Sequence, residues 1–284
     1  NGFHVVLDKP MTFNLDEAKD LKKIVERTGR YLCLTHTYTG YPMIKEARQQ
    51  VRNGTIGKVR KVFVSYPQGW LHALLEVTDN KQASWRTDPS RSGKAGAMGD
   101  IGTHAFQLSE YITGLHVSKV CADINIVVDG RQLDDDGAVL LKYDNGASGV
   151  LVASQVLTGE ENTLTIKVYG DKGGMEWKHS DPNSLILMQP DTPIQVLRAG
   201  TGYLGSFAQH NTRTPAGHPE GFIEAFANLY RNFALCVNAK EQGETPKDEW
   251  LDFPSVEDGL RGMAFIENAI ASGKSENKWT EFRV

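Results

Sequence analysis

At 284 residues, 40% hydrophobic and 23% charged, the chain has an ordinary globular balance and enough length to bury a sizeable core, with two domains as the prior. Lys and Arg total 31 against 35 Asp and Glu, a formal net charge of -4, and this mild acidic excess argues against a general nucleic-acid binder. No apolar run approaches the roughly 18 residues of a membrane span. The scattered Cys33, Cys121 and Cys236 offer neither a disulfide framework nor zinc-ligand spacing, which points to a reducing compartment, with the cytoplasm as default.

The chain opens on Asn-Gly-Phe-His, with no initiator methionine and no signal peptide, and His4–Asp8 already reads as a core strand that Pro10 helps to end. This predicts preceding structure in front of it. Asn14 and Glu17 form a capping-box pattern, Leu15, Ala18, Leu21, Ile24 and Val25 recur at near-helical spacing, and Gly29 supplies the stop. Tyr31–Thr35 reads as a second strand and Tyr41–Val51 as a second helix closed by Asn53-Gly54. Such alternation is the mark of a parallel α/β sheet, here only its tail. From Gly57 onward the pattern changes to strands in succession: Val59–Tyr66, Val117–Val128, Gly137–Tyr143, Ala147–Val156, Leu164–Tyr169 and Gly174–Lys178, with shorter candidates at Leu185–Met188 and Ile194–Arg198. Asp144-Asn145-Gly146 is a hairpin signal, and strands without intervening helices predict an antiparallel sheet. Helical patterns at Glu220–Lys240 and Val256–Ser272 close the chain. The predicted class is therefore α/β over 1–56, the end of a Rossmann-like domain, then α+β over 57–284 with a large open antiparallel sheet and flanking helices.

Gly200, Gly202 and Gly205 match the dinucleotide fingerprint literally, but Pro215 and Pro219 follow instead of a good helix, and no βαβ unit surrounds them. A loop is the better reading. Gly99-Asp100-Ile101-Gly102-Thr103-His104 precedes a helical pattern ending at Gly114. Asp100 then sits near the helix start with His104 one turn along on the same face, where an acid and an imidazole of ordinary pKa can take a proton from an alcohol. Gly96, Gly99 and Gly102 would admit a ligand close to the backbone; the plainer alternative is an N-cap Asp and a core His. Asp8-Lys9-Pro10 falls at the carboxyl end of a strand, where open parallel sheets bind ligands, and a lysine there can stabilise alkoxide charge. Trp85-Arg86 precedes a polar loop, Thr87–Gly96, that carries Lys94 as a further substrate-contact candidate. Gly217-His218-Pro219-Glu220 leads into the long helix and either presents His218 to a cleft or merely caps the helix. The remaining histidines, among them His72, His179 and His210, show no metal-ligand pairing, so no metal is expected.

Together these residues resemble the glucose–fructose oxidoreductase, inositol dehydrogenase and MocA family of nicotinamide-dependent dehydrogenases. Asp8-Lys9-Pro10 is similar to the family's Glu-Lys-Pro, Asp100-Ile101-Gly102-Thr103-His104 to its Asp-x-Gly-x-His, and Asn53-Gly54-Thr55-Ile56-Gly57 to the turn leaving the nucleotide domain. The resemblance implies NAD or NADP as cofactor, Lys9 between the nicotinamide ribose and the reacting hydroxyl, and Asp100 and His104 on the substrate carbinol, with His104 as general base. Lys9, Pro10, Trp85 and Arg86 would contact the cofactor. His36 and Tyr38 stand where many relatives carry Asn-x-Arg, and join Lys9, Lys94, Asp100, His104 and His218 as substrate candidates. It also implies that the Gly-rich fingerprint lies N-terminal to Lys9, roughly 60–90 residues at about 30 per βαβ unit. The expected partners are a sugar or polyol and a second copy of the chain, as a dimer or tetramer through the antiparallel sheet, with no nucleic acid and no membrane. A relative that cleaves glycosides by transient oxidation, or a non-catalytic sugar-binding or dimerising module, are the alternatives.

Overall fold

A computed structural model describes residues 2–284. Strands β1 (Val5–Leu7) and β2 (Leu32–Leu34) pair in parallel, Val6 opposite Cys33, with α1 (Leu15–Thr28) connecting them. The Asn14 side chain accepts the Glu17 amide at 2.9 Å, and Gly29 ends α1 in the left-handed region at φ 60°. A 3-10 turn at Thr37–Gly40 leads into α2 (Pro42–Arg52), whose first residue needs no amide donor. Gly57 then turns the chain at φ 72°, and a Cβ there would lie 1.9 Å from Asp171 Oδ1, so backbone and packing both demand glycine.

Strand β3 (Val59–Pro67) follows, then the short helices α3 (Lys81–Arg86) and α4 (Pro89–Ser92). A π-helical turn at Met98–Gly102 runs directly into α5 (Thr103–Thr113). Next come β4 (Val117–Asn125), β5 (Asp136–Tyr143), β6 (Ser148–Ser154), β7 (Thr165–Gly170), β8 (Gly174–Lys178), β9 (Asp181–Met188) and β10 (Gln195–Arg198). Helices α6 (Ser206–His210), α7 (Phe222–Glu241) and α8 (Val256–Gly273) and strand β11 (Thr280–Glu281) complete the chain. The predicted Thr87–Gly96 loop in fact contains α4, because Asp88 caps it and Pro89 starts it.

The nine-stranded sheet has the order β10-β9-β8-β7-β3-β6-β5-β4-β11. Its pairs are antiparallel as predicted, except that β3 and β6 run parallel, Phe63 opposite Val150. The reason is topological. Strand β3 sits mid-sheet, and the chain leaves it through the helical layer before returning by β4 and β5, which allows two strands of the same direction to be neighbours.

Helices α2, α5 and α8 cover one face of the sheet, and α8 also packs on α1, so the end of the chain braces its beginning. Phe106 of α5 and Phe265 of α8 stack at 4.6 Å between ring centroids, both fully buried, each stabilising by about 1.5–3 kcal/mol. At α2, the fully buried Lys45 donates to Asp252 Oδ2 at 2.9 Å, and Arg48 joins that carboxylate at 2.6 Å. The opposite sheet face is open. Leu140, Val150 and Phe63 form a cross-strand row on it, Phe63 and Leu140 being more than 40% exposed.

Candidate active site

The carboxyl ends of β1 and β2 are tied together by Asp8, whose Oδ1 accepts from Thr35 Oγ1 and from the Lys9 amide, both at 2.8 Å. This aims Lys9 at the turn before α5, where its Nζ donates to Asp100 Oδ1 at 2.8 Å and to the Asp100 carbonyl. Gln155 Nε2, just past β6, donates to Asp100 Oδ2 at 2.8 Å, and Arg86 Nε lies 3.4 Å from the same oxygen. Burial alone pushes the Asp100 carboxyl up, but Lys9 and then Arg86 outweigh it and hold the group below the usual carboxylate range.

Asp100 is not the helix cap. Its carboxylate takes no backbone amide, and Asp134 does that work: its two carboxylate oxygens accept from Gly96 and Met98 amides at 2.7 Å, and its carbonyl accepts from Ala97 at 2.8 Å. Burial raises the Asp134 carboxyl to about 6 against those amides. Sequence reasoning missed Asp134, since no local signal links it to a helix more than thirty positions earlier. The same contact explains Gly96, where a Cβ would meet the Asp134 carbonyl at 2.2 Å; at Gly102 it would meet Met98 Sδ at 3.1 Å. Those two glycines serve packing. Gly99 lines a cleft beside the Lys9–Asp100 pair.

His104 occupies the first turn of α5 with 8% exposure. Its Nδ1 lies 3.2 Å from His36 Nδ1, and the Tyr38 ring meets it edge-on at 5.1 Å. The sequence predicts an imidazole that titrates near neutrality. Burial, then the Lys9 charge, then His36 instead hold His104 well below its ordinary pKa, and burial takes His36 to about 3. Both rings are neutral at physiological pH. Among the described residues nothing hydrogen-bonds His104 Nε2.

Beside His104 stands a polar wall that sequence reasoning did not assemble. Tyr66 Oη and Gln68 Nε2 both donate to Asn162 Oδ1 at 2.7 Å, and Asn162 Nδ2 donates to Tyr38 Oη at 3.2 Å. Tyr38 and Tyr66 are themselves bonded through their hydroxyls. Gln155 also donates to Gln68 Oε1 at 3.1 Å, so the wall is continuous with Asp100. His179 closes it, 3.0 Å from Tyr41 Oη. These residues come from the 3-10 turn after β2, from β3 and its end, from the ends of β6 and β8, and from the loop before β7, a juxtaposition that no sequence spacing reveals.

On the other side of the Lys9–Asp100 pair opens a cleft of about 370 Å³, lined by Lys9, Pro10, Phe13, Trp85, Arg86 and Gly99. The Arg86 guanidinium lies 4.4 Å from the Trp85 ring centroid, and its buried Nε makes no hydrogen bond. A cleft at strand carboxyl ends, with a flat aromatic, a cation and an unsatisfied donor, fits the nicotinamide–ribose end of a dinucleotide. Gly200–Gly205 does not serve the pyrophosphate: the Gly205 amide donates to Glu46 Oε2 at 2.8 Å, and a carboxylate there repels phosphate. Of the remaining candidates, Lys94 pairs with Glu267 at 3.0 Å with its side chain 59% exposed, and His218 is exposed on the loop before α7. Neither joins the cluster. His36, expected to touch substrate, is 1% exposed and lies behind His104.

A family model described as the GFO/IDH/MocA C-terminal domain matches residues 44–176. The uncharacterized oxidoreductase YfiI of Bacillus subtilis is 30% identical over 284 residues, covering 99% of this chain and 72% of that protein. The chain belongs to the GFO/IDH/MocA family. Among solved structures, an inositol dehydrogenase homologue of Azotobacter vinelandii complexed with NAD+ superposes with a TM-score of 0.93 at 32% identity, over 99% of this chain and 72% of that one. An inositol dehydrogenase homologue of Azotobacter vinelandii complexed with NADH and myo-inositol gives a TM-score of 0.89 at 30% identity, over 99% of this chain and 72% of that one. Levoglucosan dehydrogenase of Pseudarthrobacter phenanthrenivorans is 24% identical, over 99% of this chain and 74% of that protein. This member of the GFO/IDH/MocA family thus shares its fold with oxidoreductases, and no helix among its described residues is long and apolar enough to cross a membrane. The matched segment of the family model holds Asp100, His104 and most of the polar wall; Lys9, His36 and Tyr38 lie before it.

Proposed function

We propose that this protein is an NAD- or NADP-dependent dehydrogenase that moves a hydride between a nicotinamide and a secondary alcohol of an uncharged sugar or polyol. The observation that carries this reading is the Lys9–Asp100 ion pair, one helical turn from a neutral His104, at the rim of a cleft suited to a nicotinamide. A nicotinamide bound in that cleft supplies the hydride acceptor for alcohol oxidation. Lys9, Pro10, Trp85 and Arg86 hold and orient it. His104 Nε2, which no described residue hydrogen-bonds, takes the carbinol proton, and the Lys9 ammonium steadies the developing negative charge on oxygen. Asp100 fixes Lys9 and orients the same hydroxyl.

An uncharged substrate follows from charge balance. Both cations at the site, Lys9 and Arg86, already face Asp100, and the wall of Tyr38, Tyr66, Gln68 and Asn162 offers only neutral groups suited to neighbouring hydroxyls. In this reading residues 1–56 belong to the cofactor half, 57–284 to the substrate half, and the open sheet face joins copies of the chain.

The test is a panel of cyclic polyols and free sugars offered with NAD+ and with NADP+, following reduced nicotinamide. His104→Ala should lower kcat by about 10²–10⁴-fold with cofactor affinity little changed. Unaltered turnover in that variant removes His104 from the role. Cleavage of glycosides without net cofactor reduction would assign the protein to glycoside cleavage instead.

A further inference from the structure

We propose that His36 is a positioning residue that fixes the tautomer of His104, accepting a hydrogen bond from His104 Nδ1–H so that Nε2 presents its lone pair to the reacting hydroxyl. This rests on the reading of His104 as the base. Two neutral imidazoles whose Nδ1 atoms lie 3.2 Å apart can bond only when one nitrogen carries the proton and the other the lone pair. If His36 donated, His104 would carry its proton on Nε2 and have nothing with which to accept another. Once His104 has taken the substrate proton, both its nitrogens carry hydrogen, and Nδ1–H then needs an acceptor. Among the described residues no carboxylate bonds to His104, and His36 Nδ1 is the acceptor in place.

The fold holds His36 firmly for that task. Its carbonyl accepts from the Thr39 hydroxyl at 2.9 Å and the Thr39 amide at 3.2 Å, and its amide donates to Leu34 at 2.9 Å. Its ring stands nearly perpendicular to that of His104, at 85°, and is sealed from solvent. A neutral partner also differs in effect from a carboxylate. It orients His104 while leaving the imidazolium weakly stabilised, so the proton returns readily when the reaction runs toward alcohol.

Among the described residues, the Lys9 charge on the cleft side, itself paired with Asp100, and the Tyr38 and Tyr66 rings are the titratable groups that face the pair.

Nitrogen-15 NMR of the resting protein, with His104 identified through His104→Ala, reads the tautomer without any substrate. The expected result is a protonated Nδ1 and a bare Nε2 on His104, lost or mixed in His36→Leu. In turnover, His36→Leu should lower kcat about 10–100-fold with KM nearly unmoved, as removal of an orienting partner does. His36→Asn, which keeps an oxygen acceptor where Nδ1 was, should recover most of that loss. A resting His104 protonated on Nε2 overturns the proposal, as does a His36→Asn protein as slow as His36→Leu with an unchanged melting temperature. Should no alcohol be oxidised, the dehydrogenase reading fails while the tautomer result still decides the role of His36.

Discussion

Replacing Lys9 with Met removes the ammonium from Asp100 while keeping the length of the side chain. In the native protein the pair is 2.8 Å apart, with side chains 14% and 21% exposed. At an effective dielectric of about 20 the gross attraction at that distance is about 6 kcal/mol, and most of it is offset by desolvation. Breaking a fully buried pair costs about 3–5 kcal/mol and an exposed one about 0–1 kcal/mol. This pair lies between those limits and Arg86 remains 3.4 Å from the other oxygen, so Lys9→Met should destabilise by about 2 kcal/mol. Urea unfolding of the wild type, Lys9→Met, Asp100→Asn and the double variant isolates the coupling, expected at about 1–2 kcal/mol. The pH dependence follows from the depressed Asp100 carboxyl, whose contribution is present above its unfolded value and lost as pH falls through its folded one. The gap between wild type and Lys9→Met should thus be fully open at neutral pH, begin to narrow near the ordinary Asp value of about 4, and close only at the lower pH where Asp100 of the wild type is itself protonated. Single-variant effects that add to within about 0.5 kcal/mol in the double variant would refute the coupling on which the site is built.

Lys45→Met leaves the buried Asp252 carboxylate with Arg48 and Tyr111 alone, and a loss of about 2–4 kcal/mol in urea unfolding is expected, larger than for Lys9→Met because Lys45 has no exposure. For His36 and His104, the folded pKa lies below the unfolded value of about 6.5, so their contribution to stability is present above that pH and declines as pH falls below it, which thermal melts from pH 8 to about 5 would show. Because His104 stays neutral throughout, kcat/KM for alcohol oxidation should show no limb between about pH 6 and 8; an acid limb near 6.5 would mean an exposed imidazole. Phe63→Glu places a charge in the row with Val150 and Leu140, and light scattering should report a smaller assembly than wild type; an unaltered assembly would exclude that face as the contact between copies.

Local chemistry was legible in the sequence wherever the signal is short-range. Asn14, Glu17 and Gly29 marked the ends of α1, Asp144-Asn145-Gly146 marked the β5–β6 turn, and alternation marked the strands, because caps, left-handed turns and side-chain periodicity depend on neighbours a few residues apart. Asp100 and His104 were legible for the same reason, being one turn apart in a single helical run. The tertiary structure decided what depends on distant segments. It brought Lys9 onto Asp100, set β3 parallel to β6, gave the cap of that helical run to Asp134, built the polar wall from five separate segments, and left Lys94 and His218 outside. It also decided protonation. A histidine's pKa answers to burial and to charges within a few ångströms, and in a folded chain those neighbours are chosen by packing: His36, remote in sequence, now lies against His104, and both are neutral.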